Sequence, residues 1–195
     1  MSELRVEKLA QTLVAYSASV QPGDKIRLSG EIVALPLLRE TYKRAVLAGA
    51  HVVLNLEDEY CADFLIRHGN DEQLAWLAPG SRWMAEESDV SITIRATQNT
   101  RHGTSADPQR GVMFAKSHAV LARTRAERTA ANQHRWTLTQ FPTEAYAQEA
   151  DMSLEEFEDF VYHATFADQP DPVVCWNAIR DSQQKYVDWL KGRRE

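Results

Sequence analysis

Cysteine is nearly absent from this chain, with only Cys61 and Cys175 among 195 residues. Two cysteines so far apart make no CxxC and no Cys/His metal spacing, and they exclude a framework of disulfides. A reducing cytoplasm is the expected setting. Glycine is also sparse, at eight residues, and neither GxGxxG nor GxxxxGK(S/T) occurs. That removes the usual signatures of a dinucleotide or nucleotide-phosphate site. No apolar run approaches the roughly 20 residues of a membrane span. The opening MSELRVEKLAQTL interleaves charge with its apolar residues, as a signal peptide does not. A basic excess is missing too: 22 Lys and Arg face 28 Asp and Glu, a net charge of −6 that argues against a dedicated nucleic-acid binder.

What is present suits one soluble domain. At 195 residues and 44% hydrophobic content the chain can bury a real core. Leu4, Leu9, Leu13 and Val14 predict an amphipathic opening helix, and Pro22-Gly23-Asp24 a turn. Residues 24–29 alternate as a strand. A helix then runs from about Ala34 to Ala48 with Leu35, Leu38, Tyr42, Ala45 and Val46 on one face, and Gly49 stops it. Val52 to Leu56 make the next strand, so the order is βαβ with parallel strands. One or two helices fill 59–88, interrupted near 68–70 and 79–80, and Val90 to Ala96 alternate as a third strand. Asp107 before Pro108 caps a long helix reaching about Ala131, and Trp136 to Phe141 give a fourth strand. Thr143 then stands at a helix N-cap. Ser153 with Glu156 forms a capping box for a helix carrying Leu154, Phe157, Phe160, Val161 and Ala164 at helical spacing. A final helix follows Pro170 and Pro172. The expected architecture is a three-layer α/β domain with a mostly parallel sheet covered by helices on both faces.

Ligands in such folds bind beyond the carboxyl ends of the strands. Here those ends are Ser29-Gly30-Glu31, Glu57-Asp58-Glu59, Thr97-Gln98-Asn99 and Pro142-Thr143. Ser29-Gly30 could present backbone donors to an anion, with a simple strand-to-helix turn the expected reading. Glu57, Asp58 and Glu59 could hold a cation or a substrate ammonium, with a solvated loop the simpler reading. Histidines 51, 68, 102, 118, 134 and 163 form no HExxH or tight pair and are expected at the surface. Ser105 and Ser117 lack a GxSxG context. The five tryptophans, Trp136 and Trp176 among them, are expected in core or domain-interface packing. Charge is segregated: residues 101–135 carry seven Lys or Arg against two acids, and residues 143–172 carry nine acids and no Lys or Arg. Solvated helix faces explain this most simply, and electrostatic docking of the two segments on each other, or on another domain, is the sharper alternative.

The block Trp136, Leu138, Phe141-Pro142-Thr143, Ala147, Ala150, Met152-Ser153 and Glu155-Glu156-Phe157 resembles the N-terminal half of the thermophilic-type metallo-aminopeptidases, the aminopeptidase T and S kind. PGDKI at 22–26, AVLAGAHVV at 45–53, Ala106-Asp107-Pro108, Asp171-Pro172 and Trp176 extend the resemblance over nearly the whole chain. The resemblance implies a two-domain hydrolase that removes N-terminal residues from peptides. Two divalent metal ions, of zinc or cobalt type, would be held by Glu, His, Asp and Tyr from a C-terminal half. On this reading residues 1–195 are a single N-terminal domain lacking that half. No catalytic residue and no metal ligand is assigned to this chain, and the isolated chain is expected to be inactive. Pro142 and Thr143 are the candidates for a substrate-cavity wall. The implied partners are the catalytic C-terminal domain, peptide substrates and a possible homodimer, with no nucleic acid and no membrane. The alternative is a stand-alone binding or interaction module that kept the fold and lost the catalytic half.

Overall fold

A computed structural model describes residues 3–104 and 106–193; Ser105 therefore lies outside the described residues. The elements run α1 (Glu3–Gln11), a π-helical turn (Thr12–Ser17), β1 (Lys25–Glu31), a 3₁₀ turn (Ile32–Ala34), α2 (Leu35–Leu47) and β2 (His51–Glu57). They continue with α3 (Glu59–His68), α4 (Asp71–Ala75), α5 (Pro79–Glu86), β3 (Val90–Arg95), α6 (Pro108–Ala130), β4 (Arg135–Gln140), α7 (Glu144–Glu149), α8 (Leu154–Ala164) and α9 (Pro172–Lys191). The four strands form one parallel sheet in the order β2-β1-β3-β4.

Strand periodicity divides this sheet into two unlike faces. In register, Ile26, Leu28 and Gly30 of β1 stand beside Val90, Ile92 and Ile94 of β3. All but the glycine are large apolar side chains, and they are buried. Onto them pack Val6, Leu9 and Leu13 from the first helical segment, Leu37 and Leu38 from α2, and Tyr162 from α8, forming the main core. Gly30 is needed here, because a Cβ at this position would come within 2.4 Å of the Ile94 carbonyl oxygen. It lies inside β1 with Ser29, not in a strand-to-helix turn. The opposite face carries Arg27, Ser29 and Glu31 from β1 and Ser91, Thr93 and Arg95 from β3. The C-terminal half of α6 lies against that side, so the sheet has helices on both faces. The helices α3, α4 and α5 are tied to α6 by side chains reaching helix-end carbonyls. Arg110 donates to Ile66 and Gly69, Ser117 to Leu74, and Arg128 to Ala85 and Ser88.

Local signals explain the boundaries. Asp107 accepts the Gln109 N–H ahead of Pro108, and Asp171 accepts the Val173 N–H ahead of Pro172, so both long helices start on a capped proline turn. The Ser153–Glu156 capping box forms in both directions, with the Glu156 carboxylate 2.9 Å from the Ser153 N–H. Gly49 ends α2 with φ of +87°, a left-handed conformation that glycine adopts without strain.

Three readings change in detail. The buried face of α2 is Leu37, Leu38, Thr41 and Ala45, while Tyr42 and Val46 are exposed. The 59–88 segment holds three helices, because Asn70 opens a new capping box directly after Gly69 and Pro79 starts another helix after a gap at 76–78. Phe160 on α8 is exposed, while Phe157 is buried as its spacing requires.

Candidate functional site

The chain leaves β1 by α2 toward β2 on one side and reaches β3 on the other. The carboxyl ends of β1 and β3 therefore flank the point where the winding direction switches, the usual place for a ligand crevice. A depression of about 390 Å³ sits there, lined by Glu31, Glu57, Asp58, Glu59, Gln98 and His102 among others. Three of the four strand ends singled out from sequence thus converge.

Their carboxylates are already engaged. Glu31 reaches across to accept the Ala96 N–H at 2.7 Å, joining the ends of β1 and β3. Glu57 accepts from Arg27 at 3.3 Å and from Asn55 at 3.2 Å. Asp58 caps α3 through the Tyr60 N–H, and Glu59 accepts from the Gln98 N–H. The acidic cluster is a solvent-facing set of acceptors that closes loops, with Asp58 exposed and Glu57 and Glu59 partly so. Among the described residues no group of three or more His, Cys, Asp or Glu side chains is placed to hold a metal ion. A two-metal hydrolytic centre needs several such ligands converging. The residues described here do not fit one, and no catalytic step is derived through a metal.

The fourth strand end behaves differently. Pro142 and Thr143 are both buried. The Thr143 hydroxyl donates to the Thr97 carbonyl at 2.7 Å and accepts the Tyr146 N–H, so it pins α7 to the loop after β3. Neither residue lines the switch-point crevice.

Of the histidines, His134 departs from the expected surface position. It is 4% exposed, with Nδ1 3.0 Å from Thr129 Oγ1 and Nε2 2.9 Å from Ser91 Oγ. Burial pushes its pKa below the ordinary histidine value, and Arg128, Arg125 and Arg27 push it the same way. His118 is half-buried and stacks on Phe114 with centroids 4.0 Å apart. Ser117 Oγ is 3.1 Å from His118 Nδ1, but both groups are within hydrogen-bonding distance of backbone carbonyl oxygens on their own helix. His163 pairs with Asp168 at 2.8 Å in the open, holding that carboxyl below its usual range. Trp176 packs as expected, stacked on Tyr16 and edge-on to Phe166. Trp136 does not join this chain's core and is 62% exposed. One exposed ion pair among the described residues, Arg101–Glu149 at 3.3 Å, joins the basic segment to the acidic one, which favours solvated faces over docking of the two on each other.

The feature that sequence reading missed is a groove of about 770 Å³ on the polar face of the sheet, between the strands and α6. Arg27, Arg95, Arg125, His134, Trp136 and Leu138 line it. Its signal was present in the polar half of the alternation in β1 and β3.

Comparison with known proteins places this fold. Aminopeptidase 2 of Geobacillus stearothermophilus is 27% identical over 203 aligned residues, covering 98% of this chain and 49% of that protein. Aminopeptidase T of Thermus thermophilus is 22% identical, covering 97% and 49%. The solved structure of wild-type AmpT from Thermus thermophilus superposes with a TM-score of 0.74 at 19% identity, covering 96% of this chain and 49% of that one, which supports the fold. The chain spans about half the length of the curated relatives it matches. The profile of the thermophilic metalloprotease family, M29, matches residues 2–195, and the chain belongs to that family.

Proposed function

We propose that this chain is the N-terminal domain of a metal-dependent aminopeptidase that releases N-terminal amino acids from peptides in the cytoplasm. The observation that carries this reading is the pairing of a family match over residues 2–195 with coverage of only half of each relative. Both relatives are named as aminopeptidases. On this reading the two metal ions, zinc or cobalt in type, and the groups that bind them belong to the other half.

The share of this domain is to wall the substrate cavity, restrict it to short peptides, and support the catalytic half or a dimer. The strand end at Pro142 and Thr143 is the proposed piece of wall. Because the Thr143 hydroxyl is held by the Thr97 carbonyl, its contribution is to fix the position of α7 rather than to touch a substrate. The test is the reading frame beyond the codon for Glu195. It is expected to continue into a region of similar length rich in Glu, His and Asp. A stop codon there would favour the stand-alone binding module instead.

A further inference from the structure

We propose that the groove on the polar face of the sheet is a binding site for a small organic oxyanion, a carboxylate or a phosphate monoester carrying a flat apolar body. This goes beyond the peptidase reading and does not depend on it.

Several charges in the groove are already matched. Its two carboxylates, Glu31 and Glu57, are taken up by the Ala96 N–H and by Arg27 with Asn55. Arg27 is in turn neutralised by Glu57 at 3.3 Å, and its side chain is 19% exposed. Two guanidiniums remain. Neither Arg95 nor Arg125 has a side-chain hydrogen bond or an ion pair among the described residues, yet both line the cavity. Arg125 is half-buried, and burial together with the nearby charge of Arg27 disfavours its cationic form. Arg125 is thus a partly desolvated cation with no partner among the described residues, and an oxyanion seated in the groove beside it would relieve that cost.

The remaining walls fit the same guest. Guanidinium presents a planar fork of donors that matches carboxylate and phosphate oxygens. The Thr93 hydroxyl lines the groove, 3.3 Å from the buried Ser29 hydroxyl behind it, and can turn toward an acceptor. His134, held between Thr129 and Ser91, lines the same groove. Along β4 the exposed Trp136 indole and the half-exposed Leu138 supply an apolar shelf for the body of the ligand. A volume of about 770 Å³ suits a small molecule.

The test uses the 195-residue chain with phenyl phosphate, benzoate, inorganic phosphate and neutral phenol as probes. Binding is followed by Trp136 fluorescence, with W136F identifying that signal among the five tryptophans. Phenyl phosphate or benzoate should bind saturably, and whichever is tighter identifies phosphate or carboxylate as the natural head group. Phenol should not bind. Arg125→Gln and Arg95→Gln should each weaken binding about tenfold or more. Arg125→Gln should melt no lower than the parent, because it removes an unpaired cation, whereas a purely structural Arg125 would make that variant melt lower. Absence of saturable binding by either organic anion, or binding that both substitutions leave unchanged, would overturn the proposal.

Discussion

The two faces of one sheet, built from the same strands, do different work. Ile26, Leu28, Val90, Ile92 and Ile94 are buried beneath α1, α2 and α8. One residue along, Arg27, Ser91, Thr93 and Arg95 face a groove that α6 only partly covers. Covering both faces with helices therefore does not mean burying both in oil. A central parallel strand buried on both sides reads as a continuous hydrophobic run. The strands β1 and β3 instead alternate, and the polar half of the alternation is where charge and hydroxyls gather without adding to the core.

This contrast can be tested by graded substitutions. Phe157→Ala, which unseats α8 from the apolar side by removing a ring that contacts Tyr146 and Phe160, should cost about 3–5 kcal/mol in urea melts. Ile92→Ala, central on the apolar face, should cost about 2–5 kcal/mol. Trp136→Gln on the polar face should cost under about 1 kcal/mol despite the larger side chain. Equal losses at Ile92 and Trp136 would erase the distinction between the faces.

Smaller effects sharpen the same picture. The pKa of His134 is lowered in the folded chain, so the unfolded chain takes up its proton first as pH falls. Its contribution to stability is fully present above the unfolded value of about 6.5 and declines as pH drops from there toward the folded value. His134→Gln should flatten the stability profile as pH falls below about 7; an unchanged slope would show that the imidazole is not desolvated. Ser153→Ala, which removes half of the α8 capping box, should cost about 1 kcal/mol. A melt matching the parent would mean that the cap adds nothing to docking of α8.

Most of the fold was legible because local and long-range signals agree. Strands expected at 24–29 and 90–96 form at Lys25–Glu31 and Val90–Arg95, and the Asp107-Pro108 and Ser153–Glu156 signals open helices where they stand. Errors arose where apolar residues exceed what the core can cover. Tyr42 and Val46 fit a helical stripe with Leu38, but α2 turns Leu37 and Thr41 inward instead. Trp136 is apolar and lies in a strand, yet it belongs to the polar face, a fact fixed by its pairing with Ser91 and not by its own chemistry. The site was less legible for a related reason. Arg27 and Arg125 come from β1 and α6, almost a hundred positions apart, and no local spacing links them. In sequence His134 reads as a surface residue, because its partners Ser91 and Thr129 become neighbours only through the packing of α6 on the sheet.

The proposed division of labour gives these residues a scaffold and a binding face, and gives peptide hydrolysis to groups outside them. The most direct measurement combines elemental analysis of the purified 195-residue chain with assays on leucyl and arginyl peptides in the presence of zinc or cobalt. Substoichiometric metal and no release of amino acids are expected. Stoichiometric metal together with chelator-sensitive turnover, in a preparation free of contaminating protease, would contradict that division and place an active site among the residues described here as structural.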